Sequence, residues 1–290
     1  MIYKSYQDMA DAVRTNLWKI PSDIDLIVGI PRSGMIAALL VSELLNKPCA
    51  TLDDFIQGKE MECGKSRKKL MCKNADSDKS KKVLVIDDTV NLGHAMQEAK
   101  KKLDEISNSY DIVFSCVFAR GKNSKQFVDI YLEDIYDPTK SWYLYEWNIL
   151  HHHSSKTKAS IWDIDGLLCK DPPKNVDIAE YEDYISNAVP MVIPTTHIGA
   201  VVTYRLEKYR SITEKWLKDN GIKYDQLIMF DAPDNETRKS TKKPSRYKAD
   251  IYNNATWAKL FFESSRKQAE KIHDITGKPV FCYENGKMYI

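Results

Sequence analysis

Residues 81–96 constrain this chain more than any other stretch. Val83, Leu84, Val85 and Ile86 form an unbroken apolar, mostly β-branched run. Such a run needs cover on both faces, which is the situation of a central strand in a parallel sheet flanked by helices. Asp87 and Asp88 follow at once, then a short polar loop to Gly93, then a helical segment over 94–103. Open α/β sheets place their ligands outside the carboxyl ends of the strands. The loop offers backbone N–H groups and a positive helix end to a phosphate. Two carboxylates beside it suit a ribose diol or a Mg²⁺ ion. The plainer alternative is that Asp87 and Asp88 only close a strand of a doubly wound domain.

A second βα turn lies upstream. The spacing predicts a helix over 3–18, a strand over 24–30, a turn over 31–34 and an apolar helix over 35–45. The sequence Val28-Gly-Ile-Pro-Arg-Ser-Gly-Met35 again presents backbone amides to an anion, and Arg32 adds charge-assisted hydrogen bonds. The two motifs together resemble the type I phosphoribosyltransferase family. That resemblance implies a pyrophosphate loop at Arg32, Ser33 and Gly34. It also implies a ribose-phosphate site at Asp87, Asp88, Thr89, Asn91 and Gly93, with phosphoribosyl pyrophosphate (PRPP) as ligand and Mg²⁺ at Asp87 and Asp88. Where the family usually carries Thr or Ser, this chain has Leu92 and Ala95, so backbone donors and Asn91 remain for the 5′-phosphate. The charge-dense segment 59–82 matches a loop that closes over substrate in that family, with residues 64–68 as the part reaching the site; a solvated excursion is the alternative.

The remaining bounds come from composition. A length of 290 residues accommodates two domains, and a hydrophobic fraction of 43% is that of a globular chain. No apolar run approaches a membrane span, and the first residues lack the layout of a signal peptide. A net charge of +2 gives no argument for a nucleic-acid or membrane partner. Six irregularly spaced cysteines form neither CxxC pairs nor a disulfide framework, which agrees with a reducing cytoplasmic setting. Homo-oligomerisation is left open.

Residues 154–158 read as a linker, which divides the chain into domains 1–154 and 155–290. The expected fold class is α/β, with two doubly wound parallel-sheet domains in tandem. The second domain opens on an apolar strand that stops at Asp163-Ile-Asp165-Gly166. Two carboxylates at a strand end suit an aspartyl nucleophile beside an aspartic acid/base, with Mg²⁺ between carboxylate and phosphate. The segment resembles the first motif of the haloacid dehalogenase-like phosphohydrolases. By that resemblance Thr203, ending the strand 198–203, is motif two. Lys248, within 247–252, is motif three, and Glu263, within 259–265, stands where acidic residues complete the metal site. Asp163, Asp165, Thr203 and Lys248 are then catalytic, and Asp163, Asp165 and Glu263 hold Mg²⁺. A helix is expected over 204–221, strands over 226–230 and 276–282, and only a short insert between Asp165 and Thr203.

Two functions follow as expectations. The first is a bifunctional enzyme that transfers a ribose 5-phosphate from PRPP to an acceptor and hydrolyses a phosphomonoester through an aspartyl-phosphate. The second is a phosphatase whose first domain is a degenerate PRPP- or nucleotide-binding regulatory module, the reading that Leu92 and Ala95 favour.

Overall fold

The computed structural model describes residues 1–59, 81–104, 106, 109–152, 154–173, 177–241 and 243–290. Of the closing loop expected over 59–82, residues 60–80, with 64–68 among them, lie outside the described residues, while Lys81 and Lys82 already belong to a strand. The chain separates into two compact units, Ile2–Tyr143 and Leu144–Ile290 together with Met1. Both are mixed α/β with parallel sheets.

In the first unit β1 (Ile2–Lys4) precedes a helix, Tyr6–Asn16, which starts where the Ser5 side chain and Asp8 form a reciprocal capping box. The sheet contains β2 (Leu26–Gly29), β3 (Cys49–Thr51), β4 (Lys81–Val90), β5 (Tyr110–Ala119) and β6 (Ile130–Asp134), all parallel, in the order β3-β2-β4-β5-β6. Its centre is β4, where Val83 to Ile86 are fully buried between layers, as the apolar run demanded. One face packs Val28, Val83, Val85 and Cys116 against Met96, Ala99 and Leu103 of the helix His94–Leu103. The strand does not stop at the acidic pair. It runs on through Asp87, Asp88, Thr89 and Val90, because β5 offers partners that far: Asp87 lies opposite Cys116 and Val90 opposite Ala119. The chain goes from β2 outward to β3 and then returns to β4 on the other side of β2. The sheet therefore has a switch point between β2 and β4, and a crevice at the carboxyl end of that pair.

The second unit follows β7 (Tyr143–Tyr145), which spans the division between the two. Its sheet holds β8 (Ser160–Trp162), β9 (Ile198–Leu206), β10 (Tyr224–Phe230), β11 (Leu260–Glu263), β12 (Val280–Cys282) and β13 (Lys287–Tyr289) in the order β10-β9-β8-β11-β12-β13. Only the β12–β13 pair is antiparallel. Ile161, Ala200, Val202, Phe261 and Val280 pack against Ala249 and Tyr252 of the helix Pro244–Asn254 and Ile272 of the helix Arg266–Thr276. Here the switch point falls between β8 and β11. The expected helix over 204–221 is shorter. Strand pairing with β10 carries β9 on to Leu206, and the helix spans Arg210–Asp219. Among the described residues no helix is long and apolar enough to cross a membrane.

Candidate functional site

Two acidic centres occupy the two switch points. At the first, Asp87 and Asp88 are 7% and 5% exposed. The Asp88 N–H donates to Asp87 Oδ1 at 2.9 Å, and the Ser33 hydroxyl donates to Asp88 Oδ1 at 2.9 Å. The 31–34 turn and the acidic pair are thus joined, because β2 and β4 are neighbours with Gly29 opposite Ile86. The Pro31–Arg32 peptide is cis. Gly34 opens the helix Gly34–Leu45 against the end of β4. A Cβ there would lie 2.9 Å from Asp87 Oδ1 and 2.9 Å from Ile86 O, so only glycine allows this approach. Burial, then the neighbouring Asp88 charge, pushes the Asp87 carboxyl well above its ordinary value. Arg32 is exposed and Ser33 half-buried.

Gly93 caps the helix His94–Leu103 with φ +74°, and a side chain there would strike the Phe127 ring. Neither this helix nor Gly34–Leu45 takes a side-chain cap at its N-terminus. At Gly34–Leu45 the Met35 and Ile36 N–H groups donate to Arg32 O at 3.1 Å and Ser33 O at 3.0 Å, so the turn itself takes up part of that helix end, and at His94–Leu103 no side chain competes with an anion for the first N–H groups. Asn91 lies against Gly121, and Leu92 is 64% exposed in the same loop. The expected residues Arg32, Ser33, Gly34, Asp87, Asp88, Thr89, Asn91 and Gly93 all fall on the β2–β4 crevice edge or the loop leaving β4.

At the second centre, Asp163 follows β8 and is held by its N–H donating to Phe262 O at 3.0 Å. Glu263 ends the adjacent parallel strand β11, so two carboxylates emerge side by side. Lys248, from the helix Pro244–Asn254, meets both: its Nζ donates to Asp163 Oδ2 at 2.7 Å and to Glu263 Oε2 at 2.8 Å. All three side chains are buried. The other Glu263 oxygen accepts from the Ser264 hydroxyl at 3.2 Å and the Ser265 N–H at 3.1 Å. Both Glu263 oxygens are thereby used within the protein, and Glu263 does not line the adjoining cavity. Burial and the Glu263 charge raise the Asp163 carboxyl well above its ordinary value, against the opposing pull of Lys248.

Asp165 is held differently. Arg205 Nη2 and Nε donate to its two oxygens at 2.5 and 3.1 Å, and the Tyr184 hydroxyl donates to Oδ1 at 2.8 Å. Burial would raise this carboxyl, but the Arg205 guanidinium outweighs it and holds Asp165 below the usual carboxylate range. Gly166, at φ +78°, makes the turn after it, where a side chain would meet Ser264 and Asp171 Oδ1. The cavity, about 460 Å³, is lined by Asp163, Asp165, Asp171, Tyr204, Lys248 and Ser264 among others. The structure therefore brings Asp163, Asp165 and Lys248 together at one cavity and leaves Thr203 out of its lining. The Thr203 hydroxyl is buried and accepts the Arg205 N–H at 3.2 Å, while Tyr204 beside it faces the cavity.

Arg205, Tyr184 and Asp171 were not singled out from the sequence. The helical spacing from 204 onward hides Arg205, which the structure places at the end of β9, one residue before Leu206. Asp171 lies six residues past Asp165, a spacing with no periodic signature.

Among the described residues no group of three or more His, Cys, Asp or Glu side chains is placed to hold a metal ion. The donors at each centre are nonetheless hard carboxylate oxygens. Mg²⁺ accepts one or two of these when substrate oxygens and waters complete its shell.

Comparison with known proteins bears on the first unit. No curated protein matches the chain. Among solved structures, the Helicobacter pylori xanthine-guanine-hypoxanthine phosphoribosyltransferase is 18% identical, with 51% of this chain and 93% of that chain covered and a TM-score of 0.34. A purine phosphoribosyltransferase from Pyrococcus horikoshii is 16% identical, with 50% and 92% covered and a TM-score of 0.34. A chain of the Pnkp1/Rnl/Hen1 RNA repair complex is 14% identical, with 90% and 96% covered and a TM-score of 0.35. Residues 2–148 match the phosphoribosyl transferase domain, which is half of the chain, and the chain belongs to that family.

Proposed function

We propose that the chain is a bifunctional enzyme: residues 1–154 bind PRPP or a related ribose 5-phosphate compound and transfer the ribosyl phosphate to an acceptor, and residues 155–290 hydrolyse a phosphomonoester. The observation that carries the second half is the buried Asp163–Lys248–Glu263 group, of which Asp163 and Lys248 line a cavity. Within this group Lys248 is the cation that an anionic phosphoryl transition state requires, and Asp163 is the carboxylate placed beside it. In this reading the Asp163 carboxylate attacks phosphorus, the P–O bond to the alcohol breaks with its electron pair going to the alcohol oxygen, which takes a proton from solvent water, and an aspartyl-phosphate forms. Water then cleaves that intermediate to give inorganic phosphate and the free carboxylate. Lys248 offsets charge on the transferring phosphoryl group, its hydrogen bond to Asp163 fixes the nucleophile's rotamer, and its bond to Glu263 holds the ammonium in place. Asp165, kept ionised by Arg205, is suited to take a proton from the attacking water. Asp163 and Asp165 would hold Mg²⁺, which supplies charge neutralisation to the phosphoryl oxygens.

In the first half the Asp87–Asp88 pair would take the ribose hydroxyls or Mg²⁺, and the uncapped helix N-termini would take the phosphates. Family membership supports this half. The test is inorganic phosphate release from phosphomonoesters by the full chain with MgCl₂, together with PRPP titration by calorimetry. Phosphate release abolished by Asp163→Asn, and saturable PRPP binding, are expected; absence of both would sink the proposal.

A second reading rests on Leu92, whose apolar side chain stands exposed in the phosphate loop. In it the first unit is a degenerate binding module. Leu92→Thr with Ala95→Thr separates the two, since only a degenerate module gains PRPP affinity by tenfold or more.

A further inference from the structure

A second cleft adjoins the Asp163 cavity. It has a volume of about 790 Å³ and lies between the 170–173 segment and the helix Ile178–Asn187. The two spaces share Asp171 as a common wall. They are also joined through Tyr184, whose ring lines the cleft while its hydroxyl donates to Asp165 on the cavity side. Nothing in the chemistry at Asp163 uses this cleft, yet it shares Asp171 with the cavity that Asp163 lines.

Its lining defines what it can hold. Pro173, Ala179, Ala188, Val189 and the Tyr184 ring make an apolar floor. The charges among its described residues are one cation, Lys170, and three carboxylates, Asp171, Glu180 and Asp183. Glu180 is occupied as a helix cap, accepting the Asp177 N–H at 3.0 Å, and Asp183 accepts from Asn187 at 2.9 Å. Neither is neutralised by a cation in these bonds. An apolar slot with an acidic rim receives a ring without a second negative charge and repels one that carries it.

We propose that this cleft seats the alcohol body of the phosphomonoester, and that the substrate class is a monophosphate on an uncharged or cationic, ring-bearing alcohol. Bisphosphates and phosphate-linked polymers are selected against. The inference rests on the phosphatase reading above, and its test separates the two.

Three aryl monophosphates serve as probes: 4-ethylphenyl, 4-(aminomethyl)phenyl and 4-(carboxymethyl)phenyl phosphate. A methylene insulates each charge from the phenolic oxygen, so the leaving group changes little while the body is neutral, cationic or anionic. With the full chain and MgCl₂, kcat/KM for the cationic probe should exceed that for the anionic one by at least tenfold, with the neutral probe between. Asp183→Lys should lower that ratio at least fivefold, and Asp183→Asn should lower it by less. The ratio is taken within one preparation, so any common loss of folded enzyme cancels. Phosphate release with a ratio near one, or a ratio that Asp183→Lys leaves unchanged, overturns the cleft assignment alone. Absence of phosphate release from all three overturns the phosphatase reading and the cleft assignment with it.

Discussion

Replacing Lys248 by Met removes the cation that contacts two buried carboxylates. Asp163 and Lys248 are 2.7 Å apart, Lys248 and Glu263 2.8 Å, and all three side chains are at most 5% exposed. Breaking a buried ion pair by deleting one partner costs about 3–5 kcal/mol, because an uncompensated charge stays in low dielectric. At roughly 3 °C per kcal/mol for a unit of this size, the melting transition of the Leu144–Ile290 unit should fall by about 10–15 °C. The double variant Lys248→Met/Glu263→Gln should recover at least half of the loss, since it removes one of the two stranded charges. The pH dependence has a definite sign. Asp163 already has a folded-state pKa above its unfolded value, so its contribution to stability is complete below about pH 4 and is lost as pH rises through the folded value. Removing Lys248 takes away the charge that opposes this rise. The single variant should therefore be hurt more at pH 8 than at pH 5. Urea titration of the full chain, followed by tryptophan fluorescence, reads this. Trp162 is fully buried and stacked on Phe262 at 4.1 Å, one residue before Asp163. A loss under about 1 kcal/mol, or equal losses at both pH values, would show that Lys248 does not compensate the two buried carboxylates.

Other outcomes follow from the same geometry. Arg205→Met should lower phosphate release at least a hundredfold by freeing Asp165 from its bidentate partner, while Tyr184→Phe, which removes one hydrogen bond, should cost about two- to tenfold; steady-state kcat measures both. Gly34→Ala should destabilise the first unit by about 1–3 kcal/mol, because its methyl meets the Ile86 carbonyl and Asp87 at 2.9 Å; differential scanning calorimetry checks this. Mg²⁺ binding at Asp87 and Asp88 should strengthen as pH rises and release protons, since the raised Asp87 carboxyl must ionise to bind a cation; calorimetry in buffers of different ionisation heat counts the protons, and pH-independent binding without release contradicts it.

Much of this was legible in the sequence for a specific reason. The apolar runs before Asp87 and Asp163 leave the chain no option but a sheet covered on both faces, and that architecture puts strand-end residues in a crevice. Lys248 and Glu263 come from the resemblance to the haloacid dehalogenase-like motifs alone, since the strands β9 and β10 lie between β8 and β11 in the chain and no local spacing ties them to Asp163. What was not legible depends on distances between segments. Strand pairing extends β4 past Asp88 and β9 past Thr203, and both extensions are decided by the neighbouring strand rather than by local propensity. The extension of β9 aims Arg205 at Asp165 and turns the Thr203 hydroxyl toward backbone. Glu263 was expected to face a metal; in the fold its oxygens are taken by Lys248, Ser264 and the Ser265 N–H. Tyr184 reaches Asp165 from a helix nineteen residues on, a contact that no spacing rule encodes.

The central claim is that Asp163 carries the phosphoryl group. Rapid acid quench of the full chain turning over a phosphomonoester with MgCl₂, followed by peptide mass spectrometry, tests it most directly. One phosphoryl group is expected on the peptide containing Asp163, lost together with phosphate release in Asp163→Asn. Phosphate release that persists in Asp163→Asn, or a phosphoryl group trapped elsewhere, would contradict it.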